Sequence, residues 1–501
     1  MMHGKQAIFA FGAATLAGLP AQAEVTPQEV WAKWQDFSAY TGQAMQAGSA
    51  EMSGDTLVLE NVTTEFGGVD SEIVSSRDWV RMRDLGDGTV EITMAPAQRI
   101  VGTVTPEEGE TAAIDMTVLY DGARIVASGT PERLVQEFSL DRLTLADGDI
   151  AVEDEDADFS IDFTATTVAG RYIMEETGAE AMAATGNSTL GALEMEMTGT
   201  DPESGADFTA RFDMSDVAAD FSGNLLNIGL AANPFASGAA FSVDMTSGAS
   251  SSVFEAVEDG DTTRFESRSS GGGFGVALSP DALRYTLDSR GIDYTLSSSE
   301  LPFPELSASI AETGFDLNLP LSPSEEPRDF NLLVKLRDLV IDDRLWGMID
   351  PAGNLEHSPA TLLVDLSGKV QVLMDMLARA EDLEDLDKAP GELRSVSLNA
   401  LELALGGARL TGSGSFTFDP EKVELLDGIR QPAGAIDLQL VGGNALLDAL
   451  SKMGIVGESQ VMNARMMLAM FAVPGDGEDT LTSTIEMTEE GKILANGNPL
   501  N

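Results

Sequence analysis

The stretch Asp158-Phe159-Ser160-Ile161-Asp162-Phe163 places an apolar side chain at every second position and a polar one in each gap. Side chains of a β-strand point alternately to the two faces of a sheet, so this spacing predicts a strand with one wet face and one apolar face. The same pattern recurs along most of the chain, for example in residues 90–94, 208–214, 315–321 and 481–487. We therefore expect a long antiparallel sheet.

Turn residues and helical spacings complete the predicted fold. Glycine and aspartate separate the alternating runs at short intervals between residues 54 and 321, which is typical of a β-meander. Helices are predicted after the capping residue Thr26, around Val370–Leu377, near 444–454 and after Ser459. The expected fold class is mainly β with peripheral helices, a β-rich α+β protein built on an elongated, curved antiparallel meander sheet in two lobes.

The first residues have the three parts of a secretory signal: a lysine near the start, an apolar run over 7–19, and Ala21-Gln22-Ala23 before Glu24. We expect residues 1–23 to be a signal peptide that is cleaved after Ala23, and the protein to be periplasmic. No later stretch of about 18 apolar residues occurs, so no transmembrane segment is expected after cleavage.

Prolines cluster between the alternating runs and the last third of the chain, most densely over residues 320–327. This cluster predicts an internal boundary. We expect an N-terminal helix with a β-meander lobe over residues 24–325, and a C-terminal β lobe with short helices over residues 326–501.

The chain is strongly acidic, with 83 Asp and Glu against 29 Lys and Arg and a formal net charge of −54. Nucleic acids and anionic membrane surfaces attract Lys and Arg, so neither is an expected partner. The acids occupy outward strand positions, such as Asp115, Asp244 and Asp365, rather than one tail. This distribution favours solubility and discourages edge-to-edge strand pairing.

The residues that carry most catalytic and metal chemistry are scarce. The chain has no cysteine and two histidines, and only His357 follows the predicted signal. Zinc sites built on several His or Cys ligands are excluded, and a Ser-His-Asp triad would have to use His357, which lies in a predicted surface turn. The acidic run 153–158 lacks the glycine and glutamate of an EF-hand loop. No catalytic, cofactor-binding or metal-binding residue is therefore assigned, and no enzyme is expected.

The apolar face of the sheet is the remaining candidate for a function, because it needs a helix, a second sheet or a ligand to cover it. Methionines at helical spacing in the predicted C-terminal helix favour packing in the core, and they also suit contact with a lipid-like ligand. The candidate residues for an apolar-ligand face are Phe159, Ile161, Phe163, Phe212, Leu317, Leu403, Met462, Met466 and Met470.

Three stretches resemble the domain-of-unknown-function 2125 family of exported alphaproteobacterial proteins: Trp346–Leu355, Leu398–Phe418 and Gly491–Leu500. The second also resembles the wider AsmA-like envelope proteins. The family has no assigned activity, so the resemblance carries over no catalytic residue. The AsmA-like resemblance implies a curled sheet with an apolar trough that moves or holds lipids.

The leading hypothesis is a non-catalytic periplasmic envelope protein whose apolar sheet face holds or hands over a lipid or another amphiphile. One alternative is a periplasmic scaffold with a sealed core that binds an envelope protein. A second is an outer-membrane β-barrel, which shows the same alternation but needs aromatic girdles that 5 tyrosines and 4 tryptophans scarcely supply. An enzyme that uses His357 is the third.

Overall fold

The computed structural model describes residues 24–68, 71–104, 111–152, 158–178, 181–201, 204–225, 235, 238–378, 389–426 and 429–500. The predicted signal peptide and most of the acidic run at 153–158 lie outside these residues. All structural statements below concern the described part of the chain.

Four helices occur in the described residues, and they lie towards the two ends of the chain. Their bounds are α1 Pro27–Tyr40, α2 Asp343–Ile349, α3 Gly443–Lys452 and α4 Glu458–Phe471. Thr26 caps α1 and forms the predicted capping box with Glu29. Helices are present at the three places predicted after Thr26, near 444–454 and after Ser459, but α4 begins at Glu458 with Gly457 as its N-cap, so the prediction that it starts after Ser459 is wrong.

Strands make up most of the molecule, which confirms the mainly β class. The first group is β1 Gln43–Ser53, β2 Thr56–Gly68, β3 Ser71–Asp84, β4 Val90–Met94, β5 Ala97–Val104, β6 Ala112–Asp121, β7 Arg124–Gly129, β8 Arg133–Val152, β9 Asp158–Gly178, β10 Ala181–Thr200 and β11 Asp207–Leu225. The second is β12 Ala240–Ser247, β13 Ser250–Glu258, β14 Asp261–Ser269, β15 Gly271–Leu278, β16 Ala282–Ser298, β17 Leu306–Pro320 and β18 Arg328–Ile341. The last is β19 Ala360–Val372, β20 Gly391–Leu405, β21 Ala408–Phe418, β22 Glu424–Leu426, β23 Ile429–Arg430, β24 Pro432–Val441, β25 Val473–Pro474, β26 Thr480–Met487, β27 Ile493–Ala495 and β28 Asn498–Pro499.

All but β22 and β23 belong to one antiparallel sheet of 26 strands, in which strands mostly pair with their neighbours in sequence. Two long strands each pair with two short ones. β3 pairs with β4 and β5, which lead through β7 and β6 to β8. Likewise β11 pairs with β12 and β13, which lead through β15 and β14 to β16. The result is the predicted meander, widened at two places.

The predicted boundary after residue 325 lies in the connection between β17 and β18, and these two strands pair with each other. The sheet is therefore continuous across it, and the division into two lobes stays a prediction. No helix in the described residues is long and apolar enough to cross a membrane.

The helix predicted around Val370–Leu377 is wrong. Residues 360–372 form β19, which pairs with β18 and β20, and the chain then turns. Val370 and Val372 satisfy strand alternation as well as helical spacing. Pairing to two neighbouring strands therefore overrides the weak local preference.

The described core lies under α1. The helix packs on β1 to β3, and the sheet curls far enough that β8, β9 and β10 also contribute to this core. Its largest fully buried side chains are Leu59, Met82, Ile92, Leu134, Met182, Val30, Val80 and Val90. The helix is also held by an ion pair between Lys33, which is buried, and Glu176 on β9.

Candidate functional site

One row of side chains crosses the sheet from β9 to β27 through direct register partners, and every member is apolar or glycine. In order these residues are Tyr172, Gly186, Phe221, Val243, Val276, Tyr285, Leu317, Leu332, Leu366, Leu398, Gly414, Ile436, Ile485 and Ala495. We call this set the apolar row. At about 4.8 Å between strands it extends roughly 60 Å along the surface of the sheet.

Two further rows run beside the apolar row and widen it. One contains Met245, Phe274, Leu287, Phe315, Val334, Val364, Leu401, Gly412 and Leu438. The other contains Leu336, Leu362, Leu403, Leu410, Leu440 and Leu481. The three rows together are called the apolar face.

The opposite side of the same strands is polar and acidic. Its adjacent row reads Arg171, Asn187, Asp220, Asp244, Gly275, Thr286 and Asp316 through successive register partners. Because neighbouring positions of a strand point to opposite faces, the acids lie on the reverse of the apolar face.

The apolar residues of a strand stay on one side of the sheet even where they switch from even to odd residue numbers. In β11 the apolar positions are Phe208, Ala210, Phe212 and Met214, followed by Val217, Ala219 and Phe221. Asp216 separates the two sets and has a left-handed backbone, with a φ of 50°. Such an irregular residue shifts the alternation by one position. Left-handed residues also interrupt β9, β16 and β18, at Thr167, Gly291 and Asp338.

The apolar row begins at the core under α1. The ring of Phe37 on α1 meets Tyr172 edge-on with centroids 5.6 Å apart, and Tyr172 stacks on Phe221 at 5.3 Å. Gly186 lies between Tyr172 and Phe221 in the strand register, and a Cβ at this position would come within 2.5 Å of the Phe221 ring. Burial raises the pKa of Tyr172, as expected for a phenol among apolar groups.

Away from α1 the apolar face is not sealed. From Phe221 to Ile485 no member of the apolar row is fully buried. In the flanking rows Leu287 is 47% exposed and Leu403 is 39% exposed. A soluble protein seldom leaves a contiguous apolar surface of this size uncovered unless something binds there.

The predicted ligand-face residues fall into three groups. Phe163 and Phe212 are both register partners of Met195, and Phe159 and Ile161 precede Phe163 on the same side of β9. The Phe159 ring lies 5.8 Å from Phe208, which stacks on Phe254 at 6.2 Å. Phe159, Ile161, Phe163 and Phe212 therefore form an apolar extension beside the row, and three of the four are aromatic.

Leu317 and Leu403 lie further along the sheet. Leu317 is a member of the apolar row, between Tyr285 and Leu332, and Leu403 is a partner of Leu362 in a flanking row. Their side chains therefore share one face although they are three strands apart.

The third group, the methionines, lies on a helix and not on the sheet. Met462, Met466 and Met470 lie on α4 and are more than half exposed, so their interpretation as core residues is wrong. In this helix only Val461 is buried. The sequence signal of i, i+4 spacing identified the helix but not which side of it faces the protein.

His357 lies in an irregular segment, as predicted, and its ring stacks on Trp346 with centroids 4.6 Å apart and 8° between the planes. Within the described residues no three His, Cys, Asp or Glu side chains form a group that could hold a metal ion.

Sequence reasoning missed most of the row, in particular Tyr172, Phe221, Val243, Val276 and Tyr285. Each lies in an alternating run, but the order in which strands pair was needed to show that the runs are in register.

Among curated proteins, none matches this chain. Residues 240–500, more than half of the chain, match the model of a family described as uncharacterized proteins conserved in bacteria (DUF2125), and the chain therefore belongs to this family.

Proposed function

We propose that this protein is an exported, non-catalytic envelope protein that holds the hydrocarbon part of a lipid or another amphiphile on its apolar face. The observation that carries the proposal is the unbroken apolar row, whose members from Phe221 to Ile485 are only partly covered. Each methylene group that such a face removes from water contributes about 0.8 kcal/mol.

The acids on the reverse of the sheet favour a ligand whose hydrocarbon chain lies on the apolar face, away from their charges. Asp220, Asp244 and Asp316 point away from the apolar face, so a bound hydrocarbon chain does not meet their charges. Like charges on the reverse side also oppose stacking of one sheet on another. The predicted export signal supports a periplasmic location, and the AsmA-like resemblance implies the same kind of ligand.

The test is native mass spectrometry of protein purified gently from its own envelope, followed by lipid uptake from neutral vesicles. The informative variant replaces Leu287, Leu362 and Leu403 by glutamine together, because all three are more than one third exposed and we expect the fold to tolerate their replacement. We expect lipid occupancy to fall more than about tenfold, since tenfold corresponds to only about 1.4 kcal/mol.

The matched control carries three glutamines on the acidic side, at Thr286, Thr295 and Thr411. Thr286 is a neighbour of Leu287 and Thr411 of Leu410, both on the apolar face, and Thr295 lies between Tyr294 and Leu296. By strand alternation all three threonines point away from their apolar neighbours. The control is expected to keep its lipid. Absence of lipid from the unaltered protein in both measurements, or an equal loss from the variant and the control, would contradict the proposed function.

A further inference from the structure

A cavity of about 330 Å³ lies at an edge of the apolar face, where β18 and β20 end and β19 begins. It forms where the ends of β18, β19 and β20 meet α2, the segment after α2, and α3. Its walls are Leu339, Ile341, Trp346, Ile349, Leu355, Ser358, Ala360, Leu405, Leu446 and Leu450. The cavity is continuous with the face through β20, because Leu403 and Leu405 are two residues apart on one side of that strand.

The wall offers a ligand almost no hydrogen-bonding group. Ser358 carries the one hydroxyl among the ten side chains, and its oxygen already accepts a hydrogen bond from the Gly407 backbone N–H at 3.0 Å. Aliphatic side chains and the Trp346 indole form the rest. An apolar cavity with no polar partner for water stays dry and takes up hydrocarbon, as a cavity of about 150 Å³ does with benzene.

Three contacts fix the walls in position. The Asp350 carboxylate accepts hydrogen bonds from the Leu355 backbone N–H at 2.6 Å and from the Asn354 amide at 3.0 Å, which places Leu355 against the cavity. The His357 ring covers one face of Trp346. Largely preformed walls of this kind are typical of small-molecule sites, and the volume lies at the small end of their range.

The mouth of the cavity is apolar with an acidic margin. Ile349 and Leu405 line the cavity and are more than half exposed, so they mark where it opens. Asp343 lies 3.9 Å from His357, and Glu356 follows the wall residue Leu355. A carboxylate or phosphate at this margin would face like charge, so the part of a ligand that enters here is expected to be its uncharged hydrocarbon end.

We propose that this cavity binds the end of the hydrocarbon chain of an amphiphile. The proposal rests on the proposed function in one respect: the rest of the same chain would lie along the apolar face that begins at Leu403. The cavity gives the ligand a fixed end, which an open face alone does not provide.

The experiment uses lipid-free protein and ω-bromododecanol, whose bromine quenches tryptophan fluorescence at short range. Trp346 lines the cavity, and the difference between the unaltered protein and Trp346→Phe isolates its emission from that of Trp31, Trp34 and Trp79. We expect saturable quenching of Trp346.

Two variants test whether the probe occupies this cavity. Ala360→Phe places a ring inside the cavity and should raise the apparent Kd about tenfold or more, whereas Ala404→Phe, on the opposite face of β20, should leave it unchanged. Ile349→Asp changes an exposed mouth residue, and it serves if Ala360→Phe does not fold. No saturable quenching, or the same Kd in all variants, overturns the proposal.

The same data separate this proposal from the proposed function. If the triple glutamine variant loses its lipid but Trp346 of the unaltered protein is not quenched, lipid binding on the apolar face is supported and the cavity proposal is contradicted. If Trp346 is quenched but the glutamines do not change lipid occupancy, the cavity proposal is supported and lipid binding on the face is contradicted.

Discussion

The part of the sheet under α1 and the part formed by β12 to β17 carry the same alternation of apolar and polar residues and differ in what covers the apolar side. Under α1 the apolar residues form a filled core, and Met82 is 0% exposed. In β12 to β17 the residues of the apolar face are only partly covered, and Leu287 is 47% exposed. Alternation therefore defines which side of a sheet is apolar, and what packs over that side decides whether it is a filled core or an exposed surface.

The largest expected effect comes from truncating one residue in each region. Met82→Ala should lower the free energy of unfolding by about 2–5 kcal/mol, because it leaves a cavity in packed surroundings. Leu287→Ala should cost less than about 1 kcal/mol, since its side chain is already half in water. Urea denaturation of both variants gives the comparison. Equal losses would show that Leu287 is packed in a core.

The attachment of α1 can be tested through two neighbouring glutamates. Glu176→Gln leaves the Lys33 ammonium, on a side chain that is 3% exposed, without its carboxylate, and should cost about 1–3 kcal/mol. Glu175→Gln removes an exposed pair with Arg133 and should cost at most about 1 kcal/mol. Thermal unfolding of the two variants distinguishes them. A larger loss from Glu175→Gln would mean that the ion pair does not hold the helix.

A third region, the edge of the sheet at α2 and α3, lies between these extremes. Gly406 has a φ of 57°, and an added Cβ would lie 3.1 Å from both Leu355 and Leu446, two walls of the cavity. Gly406→Ala should therefore cost more than Gly54→Ala, where φ is 67° and no atom lies within 4 Å. The left-handed backbone alone costs about 1–2 kcal/mol. Equal losses in denaturation would indicate that the cavity walls do not meet at Gly406.

The smallest expected effect is a pH dependence in the same region. The Leu355 backbone N–H, together with the Asn354 amide, holds the pKa of Asp350 below its ordinary value of 3.8. A lowered pKa in the folded state means that the carboxylate stabilises the fold above pH 3.8 and loses this contribution as pH falls through the lower folded value.

The measurement is the difference in urea midpoint between the unaltered protein and Asp350→Asn. It should be constant from pH 7 to about 5 and shrink below about 4, where the unfolded carboxyl takes up its proton. A difference that grows in acid would contradict the assigned role of Asp350.

Much of the fold could be predicted from local pattern. The runs at 158–163 and 208–214 are strands, and Thr26 caps the first helix, because alternation and capping are local physical preferences. The helix predicted around Val370–Leu377 was wrong because its spacing also suits a strand, and pairing with β18 and β20 decided between them.

The site was less accessible to sequence reasoning. Phe163 and Leu317 were predicted as apolar-face residues from alternation, but the apolar row depends on register between strands far apart in sequence. The shift at Asp216 also hides the continuity of the face, since it moves apolar residues from even to odd positions. The cavity joins Trp346 to Leu446 and Leu450, about a hundred residues later, and no local pattern connects them.

The central claim is that the apolar side of the sheet is open away from α1 and binds hydrocarbon there. Its most direct test is photo-crosslinking of the protein to neutral vesicles that contain a phospholipid with a diazirine in its acyl chain, followed by mapping of the modified residues. We predict adducts on apolar-face residues such as Leu287, Leu317 and Leu403, and none on the core residue Met82. Adducts spread equally over the acidic side, at Asp244 and Asp316 for example, or no adducts at all, would contradict the account.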